Sequence, residues 1–247
     1  MRHFGIIGKP LLQSFSANHF NKKFEDEHID AEYTLYPLER IDDFPTLVES
    51  VRQRYPEDGG FCGMNVTIPY KSAVIPYLTK LDSSAAEIGA VNVIRFEPDG
   101  TTIGYNSDAY GFIEAIHPSL LPNDKKALIL GTGGAAKACF YGLKQLGVSP
   151  TYVSRNPAAG QLSYNDLRLA DYQVIVNCTP LGMYPDVNKK APIPYEQLTS
   201  AHFLFDCIYN PEQTLFLREG AEHGCRTQGG IGMLLGQAKA AWKIWTK

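Results

Sequence analysis

The run KKALILGTGGAAKACFYGLKQLG, residues 125–147, constrains the fold more than any other stretch of this chain. It opens on an apolar segment without polar alternation, the pattern of a strand covered on both faces in a parallel sheet. A glycine turn follows, and then a helical pattern. Gly131-Thr132-Gly133-Gly134-Ala135-Ala136 fits GxGxxA between those two elements. The first glycine permits a tight turn, the second lets backbone approach a pyrophosphate, and the small last residue lets helix and strand pack closely. The helix N-terminus then offers free N–H groups to the phosphates. An NAD site carries an acidic residue about 20 residues further on. Here the second strand ends in Ser154-Arg155-Asn156, with no carboxylate. A guanidinium at that place suits the 2′-phosphate of NADP.

Strands and helical patterns alternate around this unit. TYVS (151–154), QVIVN (173–177), HFLFDC (202–207) and a shorter CRTQ (225–228) read as further strands of the second half. In the first half HFGIIG reads as a strand, ANHFNKKFEDEHI as an amphipathic helix, AEYTLYPLE as a strand and 42–55 as a second helix. GMNVT (63–67) is a short strand closed by Pro69, with Lys71 expected in the first turn of a helix behind it. VNVIRFEPDGTTIGYN reads as a hairpin, because PDG separates two alternating runs. The expected fold class is therefore α/β, with a mostly parallel sheet in each of two domains and the hairpin as an antiparallel edge. The last stretch, IGMLLGQAKAAWKIW, is expected as a helix that turns Leu234, Ala238, Ala241 and Trp245 to the core.

Charge and cysteine usage exclude several classes. With 23 basic and 26 acidic residues the formal charge is −3, without the basic footprint that nucleic-acid backbones require. No apolar stretch has membrane-spanning length, and MRHFGIIGKP lacks a secretory signal's apolar core, so a cytoplasmic protein is expected. Cys62, Cys139, Cys178, Cys207 and Cys225 form no CxxC pair, and the histidines form no HExxH. The expectation is no metal and buried, reduced thiols.

Polar residues stand at unusual places in the first half. SFS (14–16) puts two serines where both hydroxyls can face one anion, and NVTIPYK (65–71) puts Thr67 at a strand end. A lysine at a helix start opposes the helix dipole, and such local conflicts point to function. GYNSDAYGF (104–112) leaves two readings of Asp108, a helix cap or a carboxylate for chemistry.

Together these segments resemble the shikimate dehydrogenase family. The motifs are SxS at 14–16, NVTxPxK at 65–71, GAxN at 89–92, GxNxD at 104–108, GxGGAxK at 131–137, NxTPxGM at 177–183, DxxYxP at 206–211 and GGxxMLxxQ at 229–237. They span almost the whole chain in the family's order. The resemblance implies two α/β domains, a substrate domain of 1–107 plus 230–247 and a Rossmann-type domain of 108–229, with the active site in the cleft between them, and reversible NADP-dependent oxidation of shikimate. It implies that Ser14 and Ser16 hold the substrate carboxylate, that Thr67, Asn92 and Gln237 meet ring hydroxyls, and that Tyr209 lines the pocket. Lys71 and Asp108 become the catalytic pair, also touching substrate. Gly131, Gly133, Gly134 and Ala135 cradle the pyrophosphate, Ser154 and Arg155 meet the adenosine phosphate, and Cys207 and Gly230 approach the nicotinamide through backbone. Asn177, Pro180 and Gly182 shape the turn beside it. The chain departs from the family at Ser107 and Val93, where Thr is usual, at Ala17, where Pro is usual, and at Ser154-Arg155-Asn156, where Asn-Arg-Thr is usual. After Arg155, PAAGQLSYND is too short for a full helix. The partner implied is a small molecule acted on by a monomer or homodimer. The alternatives are a quinate or mixed enzyme using NAD, and a non-catalytic NADP-binding sensor.

Overall fold

The computed structural model describes residues 1–11, 14–56 and 60–247. The chain divides into two compact units, Met1–Ser107 with Ala238–Lys247, and Asp108–Gln237.

The first unit is built on a six-stranded sheet. Its elements run β1 (Arg2–Gly8), α1 (Phe15–Asp26), β2 (Ala31–Pro37), α2 (Phe44–Arg54), β3 (Phe61–Val66), β4 (Lys80–Leu81), α3 (Ser83–Ile88), β5 (Val93–Phe96) and β6 (Thr102–Tyr105). The strand order is β2-β1-β3-β5-β6-β4. β1 pairs in parallel with β2 and β3, while β5 lies antiparallel to β3 and to β6. The PDG hairpin is thus present, but it is not the edge: β4, two residues long, pairs outside β6. β1 is buried on both faces, which explains its unalternated pattern. Phe4 and Ile6 face α1 with Phe20, Phe24 and Trp245, whereas Ile7 joins Phe44 and Val51 of α2 on the opposite side.

One expectation fails here. Residues behind Pro69 form turns, not an α-helix, so Lys71 has no helix dipole to oppose. Tyr70 N–H returns to the Thr67 carbonyl at 2.9 Å, and the Val91 N–H donates to the Lys71 carbonyl at 2.6 Å. The sequence pattern suits Pro69 as a helix start; the chain instead uses it inside a tight turn.

The second unit carries α4 (Ser107–Ile116), β7 (Lys126–Leu130), α5 (Gly134–Gln145), β8 (Ser149–Ser154), β9 (Leu162–Ser163), β10 (Val174–Asn177), β11 (Phe203–Asp206), α6 (Leu215–Glu222), β12 (Arg226–Gln228) and the first half of α7 (Ile231–Trp245). All its strands are parallel, in the order β12-β11-β10-β7-β8-β9. Alternate residues feed two cores: Leu128, Leu130, Ile175 and Leu204 on one face, Ala127, Ile129, Val176 and Phe205 on the other. Between β8 and β10 only the short β9 and two 3₁₀ turns occur, Tyr164–Asp166 and Leu169–Asp171, as the short segment after Arg155 requires. The sequence motifs set the return to the first unit at 230; in packing it falls inside α7, whose Ala238, Ala241 and Trp245 enter the first unit's core.

Candidate active site

In the first unit a chain of neutral polar groups runs through the core below the strand ends. The Tyr33 phenol, with the Ser16 hydroxyl near it, donates to Asn65 Oδ1 at 2.6 Å. Asn65 Nδ2 donates to the Asn92 carbonyl at 3.0 Å. Asn92 then grips Ser107 twice: its Oδ1 accepts the Ser107 N–H at 2.6 Å, and its Nδ2 donates to Ser107 Oγ at 2.9 Å. All five side chains are buried, and burial pushes the Tyr33 phenol well above its ordinary range. Tyr33 and Asn65 were missed from sequence. The available signal was Asn65 itself, an amide within an otherwise apolar strand. Ser14 lies at the other end of this region as the N-cap of α1, its Oγ accepting from Ala17 N–H at 3.4 Å. Thr67 follows β3, with its N–H on the Ile7 carbonyl at 2.9 Å, and is half-buried, as is Lys71 beyond it.

Asp108 is buried in the first turn of α4. The helix begins at Ser107, so neither Ser107 nor Asp108 holds the flanking cap position, and it is the Asn92 side chain that satisfies the Ser107 N–H. A carboxylate at this helix end is favoured by the dipole. Within the second unit α4 crosses α7 at close range. A Cβ on Gly111 would lie 2.4 Å from the Met233 carbonyl and 2.6 Å from Gln237 N. One turn of α4 therefore brings Asp108 toward the segment carrying Gln237, also buried.

The other expected residues gather at the C-terminal ends of the second sheet. Gly131 follows β7 with φ of +105°, a conformation that disfavours any side chain. Its N–H donates to the Val153 carbonyl at 2.9 Å. Gly133 precedes α5 without a side-chain cap, and a Cβ there would meet nothing within 4 Å. Open backbone at the start of a 12-residue helix is the cradle a pyrophosphate fits. Ala135 is half-buried in the same turn. Ser154 ends β8, accepting from Asn156 N–H at 3.2 Å, and Arg155 is exposed beside it. The switch in strand order falls between β7 and β10, where such folds bind their ligand.

Across that switch Asn177 organises the turn. Its Oδ1 accepts from Thr179 N–H and Oγ1 at 3.0 and 2.7 Å, and its Nδ2 donates to Asp206 Oδ1 at 3.0 Å. Asp206 also accepts from Thr214 Oγ1 at 2.6 Å and Ile208 N–H at 3.0 Å. Burial pushes the Asp206 carboxyl up to about 7, and these hydrogen bonds pull the other way. Cys207 follows, half-buried, and a Cβ on Gly230 would lie 2.4 Å from its carbonyl oxygen, so only glycine fits there. Tyr209 is exposed two residues on. Hydrogen bonds from Cys139 and Cys207 lower the pKa of the Cys178 thiol, favouring its thiolate.

Strand order 3-2-1-4-5-6, a glycine turn after the first strand and bare backbone at the switch point define a Rossmann-type dinucleotide fold. Residues 6–94 match the shikimate dehydrogenase substrate binding domain. Over 99% of its length the chain is 36% identical to the shikimate dehydrogenase (NADP(+)) of Clostridium beijerinckii, covering 92% of that protein. Its fold matches the shikimate 5-dehydrogenase of Thermus thermophilus solved with NADP(H) and shikimate, with a TM-score of 0.85, 28% identity, and coverage of 100% of this chain and 94% of that one. It also matches the ligand-free 5-ketofructose reductase of a Gluconobacter species, with a TM-score of 0.84, 27% identity, and coverage of 99% and 92%. The chain belongs to the shikimate dehydrogenase family.

Proposed function

We propose that this protein catalyses the reversible NADP-dependent oxidation of shikimate to 3-dehydroshikimate, an oxidoreductase step at a ring alcohol in aromatic amino acid biosynthesis. The observation that carries this reading is the 36% identity to an NADP-dependent shikimate dehydrogenase over 99% of the chain. NADP supplies the hydride acceptor when bound. Gly131, Gly133, Gly134 and Ala135 hold its pyrophosphate, Ser154 and Arg155 its adenosine phosphate, and the Cys207 and Gly230 backbone its nicotinamide end.

Ser14 and Ser16 bind the substrate carboxylate. Ser14 accepts from Ala17 and is left with its proton to donate, and the buried Ser16 offers its hydroxyl from the next turn position. Thr67, Asn92 and Gln237 orient ring hydroxyls, and Tyr209 closes against the ring. Lys71 and Asp108 handle the proton that leaves with the hydride, as general acid–base pairs do. The protein works in the cytoplasm, which five cysteines outside any disulfide accord with, as a monomer or homodimer.

The second reading is an NAD-using quinate enzyme, and one feature favours its cofactor: Arg155 is exposed on a segment with no following helix. The test is a four-way assay of shikimate or quinate with NADP or NAD, following reduced-nicotinamide absorbance. Shikimate with NADP is expected to give the highest kcat/KM. A faster pair containing quinate or NAD overturns the substrate or cofactor assignment. NADP binding without turnover of any pair returns the chain to a sensor.

A further inference from the structure

The five cysteines lie far apart in sequence, which is why no metal site was expected from spacing. The fold brings three of them together. β10 and β11 are parallel neighbours with Asn177 opposite Asp206, so Cys178 and Cys207 leave adjacent strands in the same row. Cys207 N–H donates to the Asn177 carbonyl at 3.0 Å, which locks that register. Cys139 descends onto them from α5, packed among Ile129, Val176 and Phe205. Its sulfur is 3.7 Å from that of Cys207, which is 3.6 Å from that of Cys178, and all three lie within 4.8 Å of one another.

These spacings have a chemical meaning. A tetrahedral ion with metal–sulfur bonds of about 2.3 Å holds its thiolates about 3.8 Å apart. Two sides of the sulfur triangle, 3.6 and 3.7 Å, already have nearly that length. Cys139 is fully buried and Cys178 and Cys207 are half-buried residues, and three thiolates leave the fourth position of a tetrahedral ion to another ligand. Thiolates select soft ions, and a divalent charge offsets three thiolates better than a monovalent one.

We propose that Cys139, Cys178 and Cys207 bind one divalent thiophilic ion of the zinc type, with solvent as its fourth ligand. The three thiols release their protons to water as the three metal–sulfur bonds form, and no electron changes hands. The site shares Cys207 with the proposed nicotinamide contact, which would use its backbone where the ion uses its sulfur. The site also abuts the turns at the strand ends: the Cys178 carbonyl lies 3.4 Å from the Cβ position of Gly131, and that of Cys207 lies 2.4 Å from the Cβ position of Gly230. An ion here ties together the two turns that follow β10 and β11.

The test uses the full chain, kept reduced and stripped of metal, titrated anaerobically with cobalt(II) alone. The expected result is a near-ultraviolet sulfur-to-cobalt charge-transfer band with visible bands of tetrahedral cobalt, saturating at one equivalent and abolished by zinc(II). Cys178→Ser and Cys207→Ser should each lose that band while keeping the wild-type far-ultraviolet circular dichroism. Cys139 is too buried to be the first choice, and Cys178→Ala and Cys207→Ala repeat the test without a new polar group. A Cys62→Ser/Cys225→Ser double variant should retain the band. The proposal is overturned by a wild type without charge transfer, by six-coordinate cobalt bands alone, or by a band that survives in the Cys178 and Cys207 variants.

Discussion

The two units stabilise their buried polar residues by different chemistry. In the first, Ser16, Tyr33, Asn65, Asn92 and Ser107 form a chain of groups that are all neutral at ordinary pH. In the second, Asn177 and Thr214 converge on the carboxyl of Asp206, which burial holds up to about 7. A neutral network keeps its hydrogen bonds at any physiological pH. A buried carboxyl at the strand ends makes its surroundings pH-sensitive. The lesson is that the first unit's buried polar chain is set by geometry alone, while the turns after β10 and β11 rest on a group that titrates.

The largest effect should come from the proton chemistry that the neutral chain cannot perform. Lys71→Met keeps side-chain length but removes the charge, and should lower kcat by about 10²–10⁴ with a smaller change in KM. An effect confined to KM would make Lys71 a binding residue. Next is the pH response of the second unit. The folded Asp206 carboxyl is raised from an unfolded value near 3.8 to about 7, so folding takes up a proton between these values. Its contribution to stability is fully present below the unfolded value and is lost as pH rises through the folded one, by up to about 4 kcal/mol. Asp206→Asn should flatten that dependence in urea unfolding; parallel profiles for variant and wild type would end the contrast between the units. Asn92→Ala takes this partner from the buried Ser107 N–H and hydroxyl, at a cost of about 1–3 kcal/mol that should not vary between about pH 5 and 8. A pH-dependent loss would show that the first network is not neutral in behaviour. The smallest effect is expected at Arg155, which is exposed: Arg155→Ala should weaken NADP about tenfold, the low end for a charge-assisted bond, and leave NAD nearly unchanged. Equal weakening of both cofactors would remove Arg155 from cofactor choice.

Local patterns were legible where one segment carries the whole signal. The apolar strand, glycine turn and helix at 125–147 gave β7, Gly131 and α5, and PDG gave the hairpin of β5 and β6. What escaped was non-local. That β4 covers the hairpin depends on two residues with no strand pattern of their own. Pro69 suits a helix start and a tight turn alike, and the turn is held by Tyr70 N–H on the Thr67 carbonyl and by the distant Val91 N–H on the Lys71 carbonyl. Asn92 announced a polar role but not its partner, since Ser107 is brought to it by the hairpin. Gly111 looks like an ordinary helix residue until α7 passes over it. Cys139, Cys178 and Cys207 carry no spacing signal, because their meeting depends on strand register and a crossing helix.

Asp108 is where these arguments converge, because GYNSDAYGF allowed it to be either a cap or a catalytic carboxylate. The first turn of α4 now leaves the cap position to the residue before Ser107, with Asn92 satisfying the Ser107 N–H from outside. Asp108→Asn keeps the shape and removes the charge, so steady-state turnover of shikimate with NADP in that variant tests the account directly. The account predicts a folded protein with unchanged NADP affinity and kcat lowered by about 10²–10⁴, little worsened by adding Lys71→Met because the two act as one unit. Near-wild-type turnover in Asp108→Asn would contradict it and leave Asp108 as a residue that stabilises the start of α4.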